Sequence, residues 1–135
     1  MVKIEGRYLG ALRCQATHGP SGAKLMTDAP VDNHGKGETF SPTDLVATAL
    51  GTCIVTILGI VAQGRGLDIG EARFTVEKHM AAHPQRRIAS LPVTIHLPAS
   101  LDDAARKLLE HAAHTCPVHK SLHPDVLAPI SLVYE

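Results

Sequence analysis

The feature that most constrains this chain is the run from Ser41 to Gln63, which holds no charge after Asp44 and carries one thiol, Cys53, near its middle. It opens with helix start signals. Ser41 suits the N-cap, Pro42 suits the first helical position because its missing N–H goes unused there, and Asp44 completes an S-x-x-D capping pattern. From Leu45 to Ala62 apolar residues occupy every azimuth, which predicts a helix buried all round. Such a helix would extend roughly 33 Å, against a radius of gyration of roughly 14 Å for a compact chain of this length. One chain this small can hardly wrap it alone. A membrane span is the rival reading on length. Against it stand four threonines (Thr43, Thr48, Thr52 and Thr56), Gly51 and Gly59 within the run, and no Lys/Arg cluster or aromatic belt at its ends. A helix buried where two copies meet fits better, with no membrane partner.

A chain of 135 residues, 44% of them hydrophobic, is expected to form a single domain over 1–135. Aromatics are only 3%, so Leu, Ile, Val and Ala must build the core. Thirteen basic and thirteen acidic residues cancel, and no basic tract occurs, which excludes nucleic acid as an expected partner. The first seven residues hold no apolar signal core, so the expected compartment is the reducing cytoplasm. Three cysteines there read as reactive, metal-binding or buried, not as structural bridges.

Before the long helix, Val2, Ile4, Leu9, Leu12 and Cys14 alternate with polar residues. A turn cluster at 18–22 precedes a further short strand, giving a meander of three. Cys14 reads as a small buried hydrophobe. After the helix, which Gly64 to Gly66 should end, residues 72–79 alternate as a strand with Phe74 and Val76 inward. Leu91, Val93, Ile95 and Leu97 supply the next, where Pro92 argues for an edge position or a bulge. Ser100 to Asp103 caps a second helix striped by Leu101, Ala105, Leu108, Leu109 and Ala112. Pro117 starts a short third helix, and residues 126–134 close the sheet. The order β-β-β-α-β-β-α-α-β makes an α+β fold with a mixed sheet.

Two thiols stand on helical elements. Cys116, just before Pro117, would meet the partial positive charge of a helix N-terminus, a physical reason for it to ionise readily; mid-helix Cys53 has no such help.

The Ser41-Pro42-Thr43-Asp44-Leu45 opening of an apolar helix carrying Gly51-Thr52-Cys53, followed far downstream by Cys116-Pro117-Val118, resembles the OsmC family of osmotically inducible and organic hydroperoxide resistance proteins. The resemblance covers essentially the whole chain. It implies a swapped homodimer around long central helices that pack together. It also implies thiol peroxidase chemistry: Cys53 attacks a small organic hydroperoxide, Cys116 resolves the sulfenic acid, and a dithiol such as lipoamide restores the pair, with no cofactor. Where the family's peroxidases carry a glutamate after the proline, paired with an arginine from the first strands, this chain has Thr43, with Asp44 next. Arg7 and then Arg13 are the candidate arginines. The resemblance also implies that Cys53 and Cys116 meet, with Cys14 left out.

A second constellation, His111, His114, Cys116, His119 and His123, has zinc-like spacing in its Cys-x-x-His part, although scattered surface histidines are the simpler reading and no metal is expected. The alternatives to a peroxidase are therefore a dimeric module binding a small hydrophobic ligand and a His/Cys metal-binding protein.

Overall fold

Residues 1–46 build a three-stranded antiparallel sheet in the order β1-β2-β3, with β1 at Ile4–Gly10, β2 at Arg13–His18 and β3 at Lys24–Asp28. The register puts Ile4, Gly6, Tyr8, Cys14, Ala16, Leu25 and Thr27 on one face and Glu5, Arg7, Arg13, Gln15, Thr17, Lys24 and Asp28 on the other. The tight turn between β1 and β2 holds Ala11 and Leu12 at φ 53° and 62°, a left-handed pair that suits hairpin twist but that L-residues adopt at a cost. The Tyr8 hydroxyl accepts the Leu12 N–H at 3.2 Å, which helps to hold it. The structure, a computed structural model, describes every residue from Met1 to Glu135, in two compact units, 1–46 and 47–135.

The long helix, α1, runs Pro42–Arg65. Its start is the reciprocal capping box expected: Asp44 N–H donates to Ser41 Oγ at 3.1 Å and Ser41 N–H to Asp44 Oδ2 at 2.9 Å. Its end is a Schellman pattern, with Leu67 N–H donating to the Ala62 carbonyl at 2.9 Å and Gly66 N–H to that of Gln63 at 3.5 Å. Gly66 sits at φ +65°, a conformation in which a side chain would be strained.

Within 47–135, β4 (Arg73–Val76) pairs antiparallel with β7 (Val93–Leu97), and β7 pairs parallel with β8 (Ile130–Tyr134), a mixed sheet in the order β4-β7-β8. A separate hairpin, β5 (His79–Ala81) and β6 (Arg87–Ser90), lies between β4 and β7 in the chain. The registers Phe74↔Ile95, Val76↔Val93, Val93↔Ile130, Ile95↔Leu132 and Leu97↔Tyr134 gather the apolar side chains on one face. The other face carries Arg73, Thr75, Thr94, His96 and Ser131. Helix α2 (Asp103–Ala113) starts at Asp102, whose carboxylate accepts the Ala105 N–H at 2.8 Å, and buries Ala105, Leu109, Ala112 and Ala113. Helix α3 (Pro117–Ser121) follows with Pro117 at its first position. Leu50, Ile54 and Leu58 of α1 join Leu91, Val93, Ile95 and Leu109 in the core, each contributing about 1.5–3 kcal/mol by leaving water.

Within one chain α1 buries a single stripe, Ala47, Leu50, Gly51, Ile54, Leu58 and Ala62, while Thr52, Thr56 and Ile60 lie exposed, because the chain's own sheet offers it one apolar face; this is what is expected of a helix that one chain cannot wrap alone. Two other expectations are corrected. Pro92 marks neither an edge nor a bulge. It separates β6 from β7, and β7 is the central strand; lacking an N–H, Pro92 falls where pairing passes from one sheet to the other. Cys14, expected inside, is exposed, since the β1–β3 face that carries it is largely open.

Candidate functional site

Cys53 lies midway along α1, flanking the buried stripe and itself half-buried. What holds this part of the helix close to the sheet is Gly51: a Cβ there would stand 2.4 Å from Phe74 Cδ2 and 3.0 Å from Val76 Cγ2. Only a glycine permits that approach without displacing the ring. Phe74 and Val76 thus point toward α1 as their alternation requires, although Phe74 keeps 37% of its surface exposed.

Cys116 is the N-cap of α3 and fully buried. Its Sγ accepts the His119 N–H at 3.4 Å, and the Val118 N–H also favours its charged form. The Cys53 side chain is its hydrogen-bond partner. The fold therefore brings Cys53 and Cys116 together as two free thiols, while the third free thiol, Cys14, belongs to β2 of the other unit. The ready ionisation expected of Cys116 is not found. Burial pushes its pKa up, the Cys53 hydrogen bond and charge add to the rise, and the N–H groups of His119 and Val118 oppose it without prevailing. Two N–H dipoles do not offset the loss of hydration around a thiol with no exposed surface. Cys116 is therefore held as the neutral thiol, able to donate its S–H toward the sulfur of Cys53.

The candidate arginines have other partners. Arg7 donates to Gln15 Oε1 at 3.4 Å on the exposed sheet. Arg13 lies between two carboxylates, 3.6 Å from Asp28 Oδ2 and in direct contact with Glu38 Oε2. Asp28 is 1% exposed; its Oδ2 also accepts the Glu38 N–H at 3.1 Å, while its Oδ1 has no partner. Sequence reasoning passed over Asp28 and Glu38, and nothing in their spacing, one at a strand end and one in a loop, links them to Arg13.

The histidine constellation disperses. His114 Nδ1 pairs with the Glu110 carbonyl at 2.9 Å, His119 Nε2 with the Ala128 carbonyl at 3.0 Å, and His123 Nδ1 with the Asp125 N–H at 3.1 Å. No three His, Cys, Asp or Glu side chains converge on a point that could hold a metal ion. The metal-binding alternative thus lacks a ligand set, because the break before Cys116 turns these residues away from one another.

Residues 35–128 match the family described as OsmC-like protein. The chain belongs to the OsmC family. A crystal structure of an OsmC relative from Psychrobacter arcticus 273-4, described as an osmotic stress induced and detoxification response protein, is 44% identical and superposes with a TM-score of 0.92 over 98% of this chain and 96% of that one. The organic hydroperoxide resistance protein OsmC of Legionella pneumophila superposes with a TM-score of 0.79 at 18% identity, over 98% of this chain and 96% of that one. The organic hydroperoxide resistance protein OhrB of Bacillus subtilis gives 0.72 at 19% identity, over 98% of each chain. At that identity the last two speak for the OsmC fold; the β-β-β-α-β-β-α-α-β order read from the sequence holds for this chain except that it misses the β5–β6 hairpin, which stands between the expected fourth and fifth strands. Among curated proteins, none matches the sequence significantly.

Proposed function

We propose that this OsmC protein, as one OsmC-like domain, reduces small organic hydroperoxides by thiol chemistry at Cys53 and Cys116. The observation that carries the reading is the hydrogen-bonded meeting of these two thiols, one from the middle of α1 and one from the cap of α3. A deprotonated Cys53 sulfur attacks the peroxide oxygen; the O–O bond breaks, the alcohol leaves after taking up a proton, and Cys53 becomes a sulfenic acid. The Cys116 sulfur then attacks the Cys53 sulfur. Water leaves and a Cys53–Cys116 disulfide remains. A dithiol of the lipoamide kind reduces this disulfide through a mixed disulfide and is itself oxidised to a ring. The half-buried position of Cys53 suits the nucleophile, which the substrate must reach, and the fully buried Cys116 suits the resolving partner, which only Cys53 must reach. Relatives named as organic hydroperoxide resistance proteins support the same substrate class.

The working form is a homodimer. Support comes from the open side of α1, with Thr52, Thr56 and Ile60, and from the apolar face of the β1–β3 sheet, where Ile4, Tyr8 and Leu25 are 59%, 64% and 45% exposed. Two apolar surfaces of that kind are uncommon on a monomer. The direct test is consumption of an alkyl hydroperoxide with dihydrolipoamide in excess. The wild type should turn over and Cys53→Ser should lose all activity, at least a thousandfold on the scale of removing a nucleophile. Cys116→Ser should give one turnover and a trappable sulfenic acid. Activity surviving Cys53→Ser would remove the mechanism.

A further inference from the structure

The His119 imidazole has a role that neither a metal site nor a surface location would give it. Its Nε2 lies 3.0 Å from the Ala128 carbonyl oxygen. A carbonyl only accepts, so the ring must donate there, which fixes the proton on Nε2. The oxygen it holds belongs to a segment that cannot drift. Leu127 N–H donates to the Ala89 carbonyl at 3.1 Å, Leu91 N–H to the Leu127 carbonyl at 2.7 Å, and Val93 N–H to the Pro129 carbonyl at 2.9 Å, so both neighbours of Ala128 are bonded to the β6–β7 segment. At the other end, the backbone N–H of the same histidine donates to Cys116 Sγ at 3.4 Å. One residue therefore joins the sulfur to the sheet through its own backbone and ring. Helix α3 has only five residues, too few to hold its own orientation by propensity.

We propose that His119 is a positioning residue: its ring, tied to Ala128, holds α3 so that the Cys116 sulfur faces Cys53 and closes the disulfide. This rests on the reading of Cys53 and Cys116 as a redox pair. It assigns the histidine to the closing step alone, because the bond that His119 stabilises is to Cys116 and not to Cys53.

The test separates the two steps, and its disulfide-closing arm does not depend on peroxide. Cys53 of the reduced protein is first converted to its mixed disulfide with glutathione; the Cys116 thiolate then attacks the Cys53 sulfur, the Cys53–Cys116 bond forms, and glutathione leaves as its thiolate. In His119→Ala the rate of this release should fall about fivefold to tenfold, the scale of one lost hydrogen bond. In His119→Gln, whose amide can donate to the same carbonyl, most of the rate should return. Sulfenic acid formation at Cys53 with an alkyl hydroperoxide should be unchanged in both. Equal closing rates in wild type and His119→Ala, or an equal fall in both steps, would overturn the assignment, as would a wild type that never closes the bond from the glutathione adduct. A wild type that closes the bond yet ignores hydroperoxide would contradict only the peroxidase reading. Should His119→Ala fail to fold, the wild-type ring decides: long-range ¹H–¹⁵N correlation should show the Nε2–H tautomer, and the Nδ1–H tautomer would overturn the proposal.

Discussion

At Cys116 two opposing effects meet, and their order of size decides its chemistry. Burial and the neighbouring Cys53 raise its pKa, and the N–H groups of His119 and Val118 lower it by less. The folded chain thus holds the Cys116 proton more tightly than the unfolded chain does. The resulting stability is fully present below the ordinary thiol pKa and is lost as pH rises from there through the raised folded value. Urea unfolding of the reduced protein should accordingly show stability falling above about pH 8.5, with a shallower fall in Cys116→Ala. An unchanged slope in that variant would contradict the assignment. Sequence placed the thiol correctly at a helix start beside Pro117 but mistook its charge state. The sequence shows the helix dipole; it does not show that Cys116, like Leu91, Leu109 and Ala113, keeps no exposed surface.

Among the elements, α1 was the most legible. Its capping box, its glycine stop and its apolar length are local patterns, and the structure reproduces each. What local pattern could not supply was the partner of each face. The alternation that puts Phe74 and Val76 inward does not reveal that Gly51 lets α1 approach them closely, since a glycine in a helix reads first as a weakness. Likewise the sequence sets Pro92 only against its own strand, whereas its place depends on which strands β7 joins. Gly51→Ala tests the close approach. Alanine gains about 0.5–1 kcal/mol in helix propensity, but forcing a methyl against the Phe74 ring costs about 1–3 kcal/mol. The net should be a loss of about 1 kcal/mol in denaturant unfolding, removed in Gly51→Ala/Phe74→Ala relative to Phe74→Ala alone. A Gly51→Ala protein more stable than wild type would show that the ring yields freely.

For the whole molecule, the proposed dimer would cover with a second copy what one chain leaves open. Ile60 is 60% exposed on α1. In a monomer Ile60→Glu would change stability by no more than about 0.5 kcal/mol; at a helix–helix interface it would bury an unpaired charge. Sedimentation should therefore show a wild-type dimer and an Ile60→Glu monomer of unchanged helix content, and a variant that dimerises as tightly as wild type would place the interface elsewhere. The central claim, that Cys53 and Cys116 act as one redox pair, is tested most directly by treating the reduced protein with one equivalent of an alkyl hydroperoxide and mapping its peptides. The expected products are one equivalent of alcohol, a single Cys53–Cys116 disulfide and a free Cys14. Three free thiols beside unconsumed hydroperoxide, or a bond that includes Cys14, would contradict it.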